Sequence, residues 1–446
     1  MQINKQKFLI IGGSKSGYAV AKYLLDRKAC FKVYEELNTQ KAQKAIAKLL
    51  ELGVQNISSV EAEEFLKEID VLIVSPGVPI NHQLCVKAKQ LKKRIMGELE
   101  FAYATFMPLT VAITGTNGKT TTSTMVKSIL DCAMLESQLV GNVGLPMTEV
   151  IDQTSSQCVY VTEVSSFQLE SVNWFCPHIS CILNITPDHL ERHYNMENYI
   201  FLKKRIFKNQ TESEYTVLNY DDQTVKNLYL ESKAKIIFVS TNEKVNGGYL
   251  NDGKLYYFDE FIMNESQLSL SNKHNIFNAL CAICICKILG VSNQDIVSGL
   301  QNFKGIKHRV QFVCEKNGVS YFNDSKATNT SSTISALSDM NKPTILILGG
   351  SEKGEEYDQL FEKIKTFGIK HTILTGASRY NMLECASRKN LTDLTVTKSL
   401  DYAVKIASII AQSGDVVLFS PACASFDSFN NFEERGEQFI KLVEDL

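Results

Sequence analysis

The sequence predicts an α/β fold of three domains: a Rossmann-like N-terminal domain over residues 1–107, a central P-loop-type ATPase sheet over 108–305, and a C-terminal Rossmann-like domain over 306–446. Three observations predict it. Short apolar, β-rich runs such as Phe8-Leu-Ile-Ile11, Val111-Ala-Ile113 and Thr344-Ile-Leu-Ile-Leu348 alternate with amphipathic helical stretches, as in parallel sheets covered on both faces. The runs end in Gly, Ser, Thr and Asn, at the carboxyl ends of strands where open α/β sheets bind ligands. Finally, 446 residues exceed one ordinary core, and the length suggests roughly three domains.

Composition narrows the partners. A hydrophobic share of 44% and a charged share of 22% are those of a soluble globular chain, and a net charge of −2 argues against a dominant basic surface for nucleic acid. No run approaches the ~18 apolar residues of a spanning helix. Four apolar residues before Gly12 are too few for a signal segment. The expectation is a cytoplasmic monomer whose partners are small molecules, with no nucleic acid and no membrane. Twelve scattered cysteines are expected to stay reduced. Cys281, Cys284 and Cys286 fall in an apolar helix and are read as core residues rather than metal ligands.

In the first domain, Phe8–Ile11 is a buried strand followed by Gly12-Gly-Ser-Lys-Ser-Gly17, a helix from Tyr18 to about Arg27, and a second strand, Cys30–Tyr34, ending in Glu35-Glu36. This approaches a dinucleotide fingerprint, but Ser14 stands where the middle glycine lets backbone approach a pyrophosphate, which argues against a redox cofactor. The strand Asp70–Val74 runs into the turn Ser75-Pro-Gly-Val-Pro79. The domain reads as a holder of a nucleotide-bearing substrate.

The central domain opens on Thr114-Gly-Thr-Asn-Gly-Lys-Thr-Thr121 between a strand and a helix. Backbone N–H groups of such a loop, with the positive end of the helix, cradle phosphate oxygens; Lys119 reaches the β- and γ-phosphates, and Thr120 or Thr121 holds Mg²⁺. The loop is two residues shorter than the common spacing, because its first glycine is Gly115. Glu163, at the end of the strand Val159–Thr162, is placed for Mg²⁺. His189 and His193 do not form a zinc-protease pair, because Glu191 is two residues after His189; one histidine is expected to face phosphate or Mg²⁺, and His193 is read as exposed. Lys203-Lys204-Arg205 is expected to continue the His189 helix, and Asn275 to cap the cysteine-rich one, with Asn278 in its first turn.

In the last domain four strand ends carry polar or glycine-rich sequence: Asn323–Asn329, Gly349–Gly354, Thr375–Ser378 and Ser420–Asp427. Together they predict a binding cleft.

Thr114-Gly-Thr-Asn-Gly-Lys-Thr120, Glu163-Val-Ser-Ser-Phe-Gln168, Asn184-Ile-Thr-Pro-Asp-His189, His274-Asn275 with Asn278, His308-Arg309 and Asn323–Asn329 resemble, in order, the Mur ligase family. Ser420–Asp427 and Asn431-Phe-Glu-Glu-Arg-Gly436 are similar to members that add D-glutamate. The resemblance implies a reaction in which ATP phosphorylates the carboxylate of UDP-N-acetylmuramoyl-L-alanine, D-glutamate displaces phosphate from the acyl phosphate, and an amide forms in peptidoglycan synthesis. It puts ATP on Gly115, Thr116, Asn117, Gly118, Lys119, Thr120 and Thr121, with Asn278, Arg309 and Asp324 as adenosine and phosphate contacts, Arg309 reaching across from the domain junction. It puts Mg²⁺ on Thr120, Glu163, His189 and Lys203, the lysine as a carbamate, with Lys204 as the alternative; Lys119, Glu163, His189 and Lys203 are the catalytic set. D-glutamate would lie on Lys326, Thr328, Lys353, Ser425, Phe426 and Phe432, and the UDP-sugar on Ser14, Lys15, Ser16, Glu36, Gly77 and Asn142. The first domain departs most from the family pattern, in its Gly-Gly-Ser-Lys-Ser-Gly loop and in Glu35-Glu36-Leu37. Closure of the last domain onto the ATP site is expected. The alternatives are another ATP-dependent amino-acid ligase of the same build, such as a folylpolyglutamate synthase, and a regulator that binds ATP and UDP-sugar without joining anything.

Overall fold

Continuous apolar runs become buried strands. In the computed structural model, which describes residues 1–36, 40–270, 272–338, 340–351 and 356–446, Phe8, Leu9 and Ile10 are fully buried, as are Val111, Ala112 and Ile113. Three sheets result. The first is all parallel, in the order Cys30–Tyr34, Lys7–Ile11, Val71–Val74, Arg94–Met96. The second has nine strands, in the order Glu260–Asn264, Lys254–Tyr257, Gly247–Asn251, Lys235–Ser240, Tyr215–Asn219, Ile179–Ile182, Thr110–Thr114, Val159–Glu163, Ser137–Gly141. It is parallel except that Lys254–Tyr257, next to the Glu260 edge, pairs antiparallel with both of its neighbours. The third runs Gln311–Lys316, Val319–Asn323, Val416–Phe419, Thr344–Gly349, His371–Thr375, Leu394–Val396, with only the first strand antiparallel. The chain divides into two compact units, Met1–Phe303 with the first two sheets and Lys304–Leu446 with the third.

Within the first unit one apolar core runs from Phe8 and Phe101 through Ala112 and Val140 to Leu218. The helix Glu98–Phe106 sits in it, with Phe101 edge-on to Phe8 and Tyr23. The same helix buries two carboxylates. Glu98 Oε1 accepts from the Thr148 N–H and hydroxyl, and Glu100 accepts from the N–H groups of Trp174 and Phe175 at 2.6 and 3.0 Å. Burial pushes both acids up, while these donors pull them back toward the ionised form.

Order in the second sheet positions the site. After Thr110–Thr114 the chain leaves toward the Ser137 edge; after Ile179–Ile182 it leaves the opposite way, toward Tyr215–Asn219. Neighbouring strands whose connections diverge open a crevice at their carboxyl ends. The phosphate-type loop lies there, followed by the helix Lys119–Cys132, whose far end is crossed so closely by another helix that a Cβ on Gly299 would stand 2.5 Å from Ile129 Cα.

Local readings need three corrections. The helix after the first loop starts at Lys15 rather than Tyr18. Lys203 does not continue the His189 helix: that helix is the single turn Leu190–His193, Tyr194 has φ +70°, and Asn195 caps a new helix, Met196–Lys204. The cysteine-rich helix Lys273–Ile288 is capped by Asn272, whose side chain accepts from the Asn275 N–H, so Asn275 is the capped residue and Asn278 lies one turn deeper. Cys281, Cys284 and Cys286 are buried in it, and burial raises all three thiols.

Candidate active site

Gly118 begins the nucleotide-type site. With φ +83° it takes a left-handed conformation at the helix start, and a Cβ there would lie 2.6 Å from Asn278 Oδ1. No side chain caps this helix, so its first N–H groups are left for a ligand. Lys119 folds back over the loop, donating to the carbonyls of Gly115 and Thr116 at 2.9 and 2.8 Å. Lys203 donates to the same Gly115 carbonyl at 2.8 Å and stands 4.6 Å over the Tyr199 ring. Two amines therefore meet at one carbonyl oxygen. Lys203 is buried, and desolvation, with the Lys119 charge beside it, holds its ammonium well below the usual lysine range. Lys204 instead pairs with Glu231 at the surface, which leaves Lys203 as the lysine of the pair that faces the loop.

Glu163 ends the strand next to the loop strand, 2% exposed. Its Oε1 accepts from Asn142 Nδ2 at 2.7 Å, while its Oε2 is buried with no hydrogen-bond partner. A buried, half-satisfied carboxylate beside a phosphate-type loop fits a hard cation held by oxygen donors, with Thr120 at the helix start as the second donor. Among the described residues no group of three or more His, Cys, Asp or Glu could hold a metal ion. The cation would have to share its shell with the nucleotide.

His189 has φ +53°, lies 3.6 Å from both Asp188 and Glu191 carboxylates, and packs on Phe167. His193 is not exposed as expected but 2% exposed: it bonds Ser166 Oγ at 2.9 Å and stacks on Tyr199, because the tight turn at Tyr194 folds it inward. Burial lowers its basicity.

In the first sheet, the carbonyl of Gly12 is only 1.8 Å from where a Cβ on Gly17 would be, so the helix rests directly on the loop. Ser75 Oγ donates to that carbonyl, and Ser75 and Val78 of the Ser75–Pro79 turn lie against Gly12. Lys15 Nζ binds the carbonyl of Gly144, in the turn that carries Asn142. Glu36 pairs with His82 at 3.2 Å, whereas Glu35 Oε2 accepts from the Gly13 N–H at 2.6 Å.

The second unit gathers its own residues. Asp324 Oδ2 accepts from Ser420 Oγ at 2.6 Å and Oδ1 from the Val310 N–H; burial pushes this carboxyl up to about 7, against the charge of Arg309. Lys326 Nζ is 5.9 Å from the Phe432 ring centre. Ser425 is buried, Phe426 exposed, and Thr328 half-buried on the loop that leaves Asn323. Lys353 lies outside the described residues.

Several residues absent from the predicted site hold it in shape. Asn184 brackets Asn117, accepting its N–H at 2.8 Å and donating to its carbonyl at 3.1 Å. Arg435, buried and lowered by desolvation to about 10, donates to Ser325 and to the carbonyls of Cys423 and Ala424. Both stand in motifs quoted above, and the signal missed was a polar residue at a strand end or helix start opposite a loop. Glu170 and Tyr199 gave no local signal.

The chain belongs to the Mur ligase family: it matches the MurD-like N-terminal domain over residues 6–97, the Mur ligase middle domain over 113–286 and the Mur ligase glutamate ligase domain over 308–423. More particularly, it is 40% identical over 451 residues to UDP-N-acetylmuramoylalanine--D-glutamate ligase of Clostridioides difficile, covering all of both chains, and 38% identical to the enzyme of that name in Streptococcus equi subsp. zooepidemicus, covering 100% and 98%. The fold is shared with MurC of Thermotoga maritima (TM-score 0.61, 17% identity, 99% of each chain) and with MurF of the same organism in complex with ADP (TM-score 0.59, 17% identity, 98% and 95%).

Proposed function

We infer that this chain joins D-glutamate to UDP-N-acetylmuramoyl-L-alanine, with ATP as phosphoryl donor, in the cytoplasmic stage of peptidoglycan synthesis. The observation that carries the reading is full-length identity of 40% to a relative named for that reaction.

The chemistry follows from the first unit. A carboxylate is a poor acyl donor, and phosphorylation gives it a leaving group. The helix amides after Gly118 and the Lys119 ammonium take the γ-phosphate, and Lys119 leaves its two loop carbonyls to do so. Thr120, Glu163 and His189 would hold Mg²⁺, which when bound would supply charge neutralisation to the phosphates. Lys203, its buried ammonium held below the usual range, would give up a proton to become the free amine, and addition of carbon dioxide with loss of a second proton would leave a carbamate, an oxygen donor in place of a cation. Ser14, Lys15, Ser16, Glu36, Gly77 and Asn142 take the UDP-sugar; Asn278, Arg309 and Asp324 take the adenosine end of ATP. Lys326, Thr328, Lys353, Ser425, Phe426 and Phe432 take D-glutamate, lysines meeting its carboxylates. The boundaries 1–107, 108–305 and 306–446 divide these tasks, and the chain acts as a monomer.

The test is ADP release by the purified protein. Release that requires both D-glutamate and UDP-N-acetylmuramoyl-L-alanine, with stoichiometric amide, is the expected result. Release with another amino acid in place of D-glutamate, or ligand binding without product, would replace the reading by one of the alternatives above.

A further inference from the structure

Arg192 stands in the single turn Leu190–His193 that follows His189. Its Nε and Nη2 donate to the two oxygens of Glu170 at 3.0 and 2.6 Å, and Nη2 also reaches the Val78 carbonyl at 3.2 Å. Its guanidinium lies 4.7 Å over Phe167, the ring on which His189 also packs. Val78 belongs to the Ser75–Pro79 turn of the first sheet. Arg192 thus holds, in one planar fork, that turn, the carboxylate after the strand of Glu163, and the turn bearing His189.

Contacts continue from there. Glu170 lies 3.8 Å from His193 Nδ1, His193 stacks on Tyr199, and the Tyr199 hydroxyl is 3.3 Å from Thr116 Oγ1 in the phosphate loop. Thr116 Oγ1 is itself fixed from both sides by the backbone of Thr186. Every link is a packed ring or a polar contact inside the first unit.

Resting on the function inferred above, we propose that Arg192 is a positioning residue that couples a ligand on the Gly77–Val78 turn to a nucleotide on the Gly115–Thr121 loop, so that UDP-sugar and ATP bind cooperatively. Arg192 touches neither reacting group; it sets the relative placement of the two turns. Contiguity alone does not establish coupling, and a thermodynamic cycle does.

The full-length protein is titrated with a non-hydrolysable ATP analogue, with and without saturating UDP-N-acetylmuramoyl-L-alanine. In the unaltered chain the second ligand is expected to tighten the first by about fivefold or more. In Arg192→Ala each ligand alone binds within about threefold of the unaltered protein, while the mutual tightening falls below about twofold; Arg192→Lys, a point charge without the fork, falls between. A merely structural role would lower the folded fraction and leave the tightening intact in what remains, and that result overturns the proposal. If Arg192→Ala does not fold, Glu170→Gln decides: reduced tightening supports coupling, and tightening of full size refutes it. An unaltered chain that binds both ligands independently also refutes it. A chain that binds neither overturns the inferred function instead.

Discussion

Two loops in the first unit, Gly12–Gly17 and Gly115–Gly118, are both strand, glycine loop and helix, and neither helix has a side-chain cap. They differ in charge. The first loop already holds an anion, since Glu35 accepts from the Gly13 N–H, and its lysine is tethered to a distant carbonyl. The second has two lysine amines converging on Gly115 and a buried, half-satisfied carboxylate on the adjacent strand. Similar backbones therefore present different surroundings, and what separates them is which neighbour fills the loop.

The largest expected effect tests the charges. Lys119→Ala should lower kcat for ADP release about 10³-fold, whereas Lys15→Ala should change kcat less than tenfold and act mainly on KM for the UDP-sugar. Equal losses in steady-state assays would erase the contrast. The glycines come next. A Cβ on Gly17 meets backbone at 1.8 Å, so Gly17→Ala should destabilise the fold by about 3 kcal/mol in chemical denaturation. A Cβ on Gly118 meets a side chain in a left-handed residue, so Gly118→Ala should lose about 1–2 kcal/mol of stability and proportionately more nucleotide affinity, read by calorimetric titration.

The smallest effect lies in the second unit. Asp324 keeps its proton up to about pH 7 in the folded chain, whereas an unfolded aspartate releases it near ~3.9. The folded state therefore binds more protons between these values, and the stabilisation is complete at low pH and lost as pH rises through 7. Asp324→Asn should flatten the fall of the ligand-free melting temperature between pH 5 and pH 8 by a few degrees, measured by scanning calorimetry. An unchanged slope would place the carboxyl in a wetter setting than its burial describes.

Local signals in the sequence were readable and distant ones were not. The strand–loop–helix at Thr114–Thr121 is written in apolar residues, glycines and a lysine within a dozen positions, and the helix does follow, although it begins inside that stretch, at Lys119. Glu163 is legible for Mg²⁺ only because its strand end falls next to a phosphate loop; by itself it reads as a solvated strand end, and its burial was not legible. Asn184 clamps a loop 67 residues away, and nothing near it in the chain announces the partner. His193 looked exposed because its burial depends on Tyr194 adopting φ +70°, a turn that composition does not mark. The hairpin strands of residues 247–264 were missed as an edge of the second sheet, although their pairing is local. Apolar residues among them, Tyr249, Leu255, Ile262 and Met263, are buried, but no ligand-like loop follows them to draw attention to the pattern.

Glu98 and Glu100 restrict how this chain could be shortened or grafted. Among the described residues the hydrogen-bond donors to each carboxylate come from beyond residue 146, so a fragment ending at 107 would keep two acids in an apolar setting with those donors gone, and would be expected to melt into a loose globule. The first sheet is therefore a poor candidate for transplantation by itself, and recombination between relatives should succeed more often at the Phe303/Lys304 division than at 107.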